Sequence, residues 1–238
     1  MNPEIIEAGE HRVQVFDLRE EPHRLRSDEW RRSKRDPAKS RGIVLHQWDT
    51  PVGTTALNRR LYGEPGALAR RALGCPAHIS VGVTQLGGVP VVSLAHPLDR
   101  YGFHGDAANA GYIGFEVMGF FPFLEEHRTM HHTKITPALR AAVRVGLKAA
   151  LDLLDQWTGS QGPWELITHR QGCNSEGDHV RCCGEAVVQM ACEALPELEG
   201  RLIAVPGLVL DPQWSQPWPE AWKRHLPEEK SQVTPEAS

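Results

Sequence analysis

The chain lacks long hydrophobic runs. No stretch of its 238 residues approaches the roughly 20 apolar residues that cross a bilayer, so a membrane span is not expected. The first residues, MNPEIIEAGEHRVQVFDLREE, contain no apolar core of the signal-peptide kind. We therefore expect cytoplasmic synthesis without a signal peptide. Any action outside the cell would depend on release or on another export system.

The chain also has no net positive charge and few cysteines. The formal net charge of −4 at pH 7 argues against general nucleic-acid binding, which relies on a basic surface. The cysteines number five, an odd count, and four of them fall between residues 173 and 192. Such a set is a poor disulfide framework, so free thiols or a metal-bound thiolate fit better.

Several local motifs of well-known enzyme classes are missing. The sequence contains no Walker loop, no dinucleotide-binding glycine fingerprint, no HExxH helix and no GxSxG elbow. These absences argue against P-loop, Rossmann, zincin-protease and α/β-hydrolase chemistry. The adjacent pair His131 and His132 does not converge readily on one metal, and we expect it to lie in a loop.

The apolar pattern indicates one ordered domain with a segment on each side. Residues 1–41 form a polar, arginine-rich arm, and residues 204–238 form a Pro- and Trp-rich extension with a polar tail. Between them, residues 42–203 run in the order strand, helix, hairpin, strand, helix, strand, helix. This order predicts an α/β fold in which a mixed central β-sheet is flanked by helices.

Two predicted strands end in histidine. His46 closes the apolar run IVLH, and His169 closes ELITH. A single histidine in such a place is more often structural, bonded to a backbone carbonyl. Two of them suggest a metal site, because neutral imidazole binds zinc well and catalytic zinc commonly takes three protein ligands and a water. The spacing alone leaves both interpretations open.

Three further residues are candidates for chemistry. Cys182 and Cys183 precede the last predicted helix, where a thiolate is favoured by the helix dipole, although buried small residues are the simpler interpretation. Glu116 lies within the apolar run YIGFEVMGFF. A carboxylate there is costly to bury unless it faces a polar site. It could serve as a general base, or it could face solvent on an alternating strand.

Four sequence blocks follow one another across residues 42–195. They are IVLHQWD, PAHISVGVTQLGGV, FHGDAANAGYIGFEVMG, and ITHRQG followed by CCGEAV. In order and interval they resemble the zinc-dependent N-acetylmuramoyl-L-alanine amidases, which include phage lysozyme-type amidases and peptidoglycan recognition proteins. The resemblance implies one amidase domain with zinc as cofactor and peptidoglycan or a muropeptide as substrate. The implied reaction hydrolyses the amide between N-acetylmuramic acid and L-alanine.

The resemblance implies zinc ligands at His46, His169 and Cys182. Cys183 is a rival for the third position, because it stands where the family has proline after the ligand. Asp178 is another rival, because its distance from His169 is closer to the usual interval in the family.

The resemblance also implies a catalytic role for Glu116, which matches the glutamate of the family's bacterial branch. The family's lysine aligns with Val180, so a neighbour, His179 or Arg181, would supply the missing positive charge. The tyrosine of some members aligns with Ile79, and Glu116 would therefore act without it.

The glycine- and asparagine-rich loop before the Glu116 strand is the predicted substrate groove. His104 is placed there by the resemblance, and Gly105 and Asn109 suit close approach to a sugar-peptide backbone. Family members that lack the third ligand bind peptidoglycan without cutting it. A catalytically weakened peptidoglycan-binding module is therefore the alternative. The sequence fits a phage lysin, a recycling enzyme or a secreted effector equally well.

Overall fold

The computed structural model describes residues 2–22, 34–48, 63–102, 105–119, 121, 133–173 and 182–227. Its strands are β1 Glu4–Ala8, β2 His11–Asp17, β3 Gly42–Trp48, β4 Ile79–Val83, β5 Pro90–Leu94, β6 Tyr112–Met118, β7 Trp164–Thr168 and β8 Leu202–Ala204. Its helices are α1 Pro65–Ala72, α2 Pro137–Thr158, α3 His169–Gly172, α4 Glu185–Ala194 and α5 Glu220–Lys223. Short 3-10 turns cover Pro37–Lys39, Asp106–Ala108 and Leu195–Leu198. Within these ranges no helix has both the length and the hydropathy to cross a membrane.

The strands form one mixed sheet in the order β1-β2-β5-β4-β6-β3-β7-β8. The pairs β1–β2 and β4–β5 are antiparallel, and the other neighbours are parallel. The β4–β5 hairpin turns at Gly87 and Gly88, both of which have positive φ, as the sequence predicts for this dipeptide. The predicted α/β class, a mixed sheet flanked by helices in a single domain, is confirmed.

Both terminal segments contribute more to the fold than their composition indicates. The sequence predicts a polar arm over residues 1–41, whereas β1 and β2 join the sheet and β2 pairs in parallel with β5. Alternation along β2 explains the difference, because Val13 and Val15 are buried while Gln14 between them is only partly buried. In the Pro- and Trp-rich C-terminal segment, Trp218 and Trp222 are buried in the main hydrophobic core.

The two faces of the sheet are covered differently. Helices α2 and α4 pack on one face, where Leu45 and Phe115 of the strands meet Leu147 of α2 in the main core. Helix α1 covers part of the opposite face, where Leu68 and Met118 belong to a second, smaller cluster. Within the described residues, helices therefore cover only part of this second face.

Helix α2 anchors the main core, and its ends follow the sequence signals. Thr136 caps the helix by accepting a hydrogen bond from the Leu139 N–H at 3.1 Å, and Pro137 occupies the first turn. The helix ends at Gly159, which takes the left-handed conformation. Gly146 faces the sheet so closely that an added Cβ would lie 2.5 Å from the Val81 Cγ1. The missing side chain lets the helix approach the strands.

The strand register lines up polar residues on the second face. Ser80 of β4 lies opposite Glu116 of β6, and Glu116 lies opposite His46 of β3. Directly paired residues project to the same face, so these three side chains form a row across neighbouring strands. The row lies near the carboxyl ends of β6 and β3, where parallel sheets commonly place binding sites.

Candidate metal centre

Two strand ends bring His46 and His169 together. His46 is near the end of β3, and His169 is the first residue of α3, directly after β7. Because β7 pairs in parallel with β3, the carboxyl ends of these two strands lie side by side at the same end of the sheet. The two imidazole rings have centroids 4.2 Å apart at an angle of 53°, and both residues are buried.

Local contacts fix the turn that carries His169. The side chain of Gln171 accepts a hydrogen bond from the Thr168 N–H at 2.7 Å, which closes the first turn of α3. Gly172 packs against the 3-10 turn at Asp106–Ala108, where an added Cβ would lie 2.5 Å from the Ala108 Cβ. Glycine is therefore needed at position 172 for this close packing.

Cys182 completes a group of three potential ligands. Its Sγ lies 3.9 Å from His46 Nδ1, and one donor atom from each of His46, His169 and Cys182 lies within 4.8 Å of the others. Gln47 holds the cysteine turn against β3: its N–H lies 3.4 Å from the Cys182 Sγ, and its side-chain oxygen accepts from the Gly184 N–H at 2.6 Å. Strand β3 thus carries the candidate ligand His46. Through the hydrogen bonds of Gln47 it also holds the turn that carries Cys182.

The donor set fits zinc. Imidazole nitrogens and thiolates are both zinc ligands, and the bond lengths require neighbouring ligand atoms to lie about 3.3–3.6 Å apart in a tetrahedron. The Cys182 Sγ–His46 Nδ1 separation is 3.9 Å and the whole group lies within 4.8 Å, so the side chains would move closer together on binding the ion. Among the described residues these three form the candidate group, and a zinc ion held by three protein ligands would keep a fourth position for water or substrate, which is the catalytic pattern.

The rivals for the third ligand differ in their surroundings. Cys183 is fully buried in the main core, and burial is the largest cause raising the pKa of its thiol. Cys182 belongs to the group of donor atoms within 4.8 Å of one another and Cys183 does not, which favours Cys182 as the third ligand. Asp178 lies outside the described residues, as do His179 and Arg181, the predicted sources of positive charge.

Glu116 lies beside the group of potential ligands in a buried site. It is 6% exposed, and its register partner on β3 is His46. The Cys75 thiol donates a hydrogen bond to Glu116 Oε2 at 3.2 Å. Burial, followed by the charge of Glu116, raises the pKa of Cys75 well above its ordinary value. The thiol therefore stays protonated and remains a donor to the carboxylate.

Sequence reasoning did not connect Cys75 with Glu116. The two residues are 41 positions apart, and Cys75 lies in the short connection between α1 and β4. The backbone oxygen of Cys75 lies 2.8 Å from Nε2 of His96, a residue that follows β5. This contact helps to fix the connection between α1 and β4. The sequence block PAHISVGVTQLGGV begins directly after Cys75, at Pro76. No local pattern in the sequence, however, indicates that Cys75 contacts Glu116.

The histidine of the predicted hairpin motif is structural. His78 is fully buried, and its Nε2 lies 2.9 Å from the Arg100 backbone oxygen. Its Nδ1 accepts a hydrogen bond from the Gly114 N–H at 3.1 Å. The next residue, Ile79, pairs with Phe115 and belongs to the main core, on the face opposite Glu116.

The predicted substrate loop is described in part. Gly105 lies against the ligand candidate His169, since an added Cβ would lie 3.5 Å from the His169 Cδ2. The Asn109 side chain accepts a hydrogen bond from the Gly105 N–H at 2.9 Å, which closes the loop. His104 lies outside the described residues. The substrate-binding role of all three residues stays a prediction.

No protein-family model matches the chain, and no curated protein matches it. Among solved structures it is similar to the endolysin N-acetylmuramoyl-L-alanine amidase LysCS from Clostridium intestinale URNW, at 15% identity and a TM-score of 0.38, covering 71% of this chain and 86% of that one. It is also similar to Drosophila PGRP-LB, at 16% identity and a TM-score of 0.37, covering 72% and 88%. The Ph2119 endolysin from Thermus scotoductus MAT2119 bacteriophage Ph2119 has 14% identity and a TM-score of 0.38, with coverage of 74% and 98%. These three structures are named as an N-acetylmuramoyl-L-alanine amidase, an endolysin and PGRP-LB, and each is similar to this chain at low identity.

Proposed function

We propose that the chain is a zinc-dependent amidase that hydrolyses the bond between N-acetylmuramic acid and L-alanine in peptidoglycan. The observation that carries the proposal is the group formed by His46, His169 and Cys182, with their donor atoms within 4.8 Å of one another. The buried carboxylate of Glu116 is on the neighbouring strand, in register with His46. Hydrolysis by an activated water requires a general base in such a position. The ordered sequence blocks support the peptidoglycan amide as the substrate.

The roles of the protein side chains follow from their chemistry. The two histidines and Cys182 would hold zinc, which when bound supplies Lewis acidity toward a carbonyl oxygen and a water molecule. Glu116 accepts a proton from the attacking water and afterwards delivers it to the leaving amine of L-alanine. The Cys75 thiol donates to Glu116 Oε2 and so restrains the carboxylate that exchanges the proton.

The developing oxyanion needs stabilisation by a positive charge or by hydrogen-bond donors. We assign this role to Arg181 or His179, which precede Cys182 in the chain. The loop with His104, Gly105 and Asn109 would border the substrate on the side of His169. A free lysin, a recycling enzyme and a secreted effector would all use this site in the same way.

Digestion of purified sacculi tests the reaction directly. Each cleavage should release a stem peptide with a free L-alanine amine and leave the glycan chain intact, which mass spectrometry of the soluble products detects. The matched variant is Glu116→Gln, which preserves shape while removing the basic oxygen. It should retain zinc and thermal stability and lower the release rate by about 10²–10⁴-fold.

Three outcomes would argue against the proposal in different ways. Near-normal release by Glu116→Gln would remove this residue from the mechanism. Products cut within the glycan would assign the chain to another reaction. Binding without release, tested with zinc and several peptidoglycan types, would favour the peptidoglycan-binding module.

A further inference from the structure

The C-terminal segment, residues 205–225, is hydrogen-bonded to the short helix α3, which begins at His169. Helix α3 has four residues, and a single turn is too short to be stable by itself in water. The direction of the His169 side chain must therefore be set by contacts outside the helix. The C-terminal segment supplies a large share of those contacts.

Gln171 is the central contact. It is fully buried, and its side-chain nitrogen donates to the backbone oxygens of Val205 at 2.6 Å and Leu208 at 3.1 Å. Its side-chain oxygen accepts from the Thr168 N–H, so one amide joins the C-terminal segment to the residue that precedes His169. The Gln171 backbone oxygen also accepts from the Leu210 N–H at 3.2 Å.

Arg170 makes a second set of contacts with the same segment. Its Nε donates to the Pro217 backbone oxygen at 3.1 Å, and its guanidinium also donates to the Gln216 side-chain oxygen. The Gln216 N–H donates to the Arg170 backbone oxygen at 3.0 Å. Arg170 and Gln171, the two residues that follow His169, are thus each hydrogen-bonded to the C-terminal segment through both their main chain and their side chain.

The far end of the segment is anchored on the opposite face of the sheet. Trp218 and Trp222 are each 2% exposed and belong to the main core. His225 Nε2 lies 3.0 Å from the Glu185 carboxylate at the start of α4, the helix that follows the Cys182 turn. The segment therefore ties the His169 helix to the helix that follows the cysteine.

We infer that Gln171 and Arg170 are positioning residues, through which the C-terminal segment holds His169 in the orientation that binds zinc. The inference rests on the proposed role of His169 as a ligand. Partners that orient metal ligands typically change metal affinity by about 10–100-fold when they are lost. The segment is thereby a working part of the metal centre, although it contributes no ligand.

Two variants test the inference at the level of metal binding. Gln171→Glu keeps an acceptor for Thr168 but replaces the donor to Val205 and Leu208 with a carboxylate oxygen. Arg170→Met removes the outer contacts from a side chain that is less deeply buried and keeps the fold measurable if the first variant fails to fold. Zinc affinity, measured by competition with a chelating dye, should weaken about 10–100-fold in Gln171→Glu and detectably in Arg170→Met.

The matched control is Arg144→Met, which removes an Arg144–Glu197 ion pair of 2.7 Å on the helical face, away from α3. It should leave zinc affinity unchanged. The absorption spectrum of the Co²⁺-substituted protein should change in the two α3 variants and not in the control, because it reports ligand geometry.

The outcomes separate this inference from the proposed function. Wild-type zinc affinity and an unchanged cobalt spectrum in folded Arg170→Met would overturn the inference and leave the amidase proposal intact. Loss of stability in the zinc-free variants without a change in zinc affinity would also overturn it, since the role would then be structural only. Absence of zinc binding by the wild-type protein would overturn both.

Discussion

Replacing Cys75 with alanine should slow the proposed hydrolysis without removing zinc. The thiol donates to Glu116 Oε2 at 3.2 Å in a buried site, where each residue is less than a tenth exposed. Without this bond the carboxylate gains freedom to turn away from the reacting water. Both groups are outside the proposed ligand set, so the metal should remain bound.

The magnitude follows from the kind of hydrogen bond. A bond to a charged acceptor contributes about 1.5–3 kcal/mol net, and a thiol is a weak donor, which places this one near the lower limit. A loss of about 1.5 kcal/mol from the transition state slows the reaction about tenfold. The cavity left by the sulfur should cost about 1 kcal/mol of folding free energy, or about 2–4 °C in Tm for a domain of this size.

Steady-state release of stem peptides gives kcat and KM for wild type, Cys75→Ala and Cys75→Ser. The serine variant restores an O–H donor at nearly the same place and is the matched control. We expect kcat to fall about tenfold in the alanine variant with little change in KM, and serine to recover most of the rate. Equal kcat values for alanine and wild type, with zinc bound in both, would refute the positioning of Glu116 by Cys75.

Four other substitutions separate metal binding from packing. Cys182→Ser should weaken zinc binding far more than Cys183→Ser, as judged by metal content after dialysis, and the reverse result would move the third ligand. Gly172→Ala would place its Cβ 2.5 Å from that of Ala108, so α3 must shift and zinc affinity should fall while most of the fold survives. Gly146→Ala should lower unfolding free energy by about 1–3 kcal/mol through overpacking between helix and sheet, with zinc affinity of the folded protein unchanged. A Gly146→Ala variant that loses zinc but not stability would contradict this separation.

Periodicity in the sequence predicts the centre of the sheet and its longest helix. The strand that ends near His46, the hairpin around Gly87 and Gly88, and the helix capped at Thr136 all have strong local signals. They are confirmed because buried strands and a long amphipathic helix leave a regular pattern of apolar residues. The same pattern places a histidine at the end of each of two predicted strands, and the structure brings these two ends together.

The contacts around the site have no comparable local signal. Cys75 meets Glu116 only after β4 and β6 pair, and the Gln171 bonds form across more than thirty residues of sequence. The C-terminal segment is irregular, so its Pro- and Trp-rich composition indicates an extension even though Trp218 is buried in the core. Such contacts depend on the assembled fold, and only the structure reveals them.

The most direct test of the central claim is the zinc content of the folded protein, measured by elemental mass spectrometry after removal of loosely bound metal. The account predicts about one zinc per wild-type chain, as one catalytic site requires, and almost none in His46→Ala and His169→Ala. Circular dichroism of each variant would verify that the fold persists. Full zinc occupancy in both histidine variants, or none in the active wild-type protein, would contradict a metal centre built on these two residues.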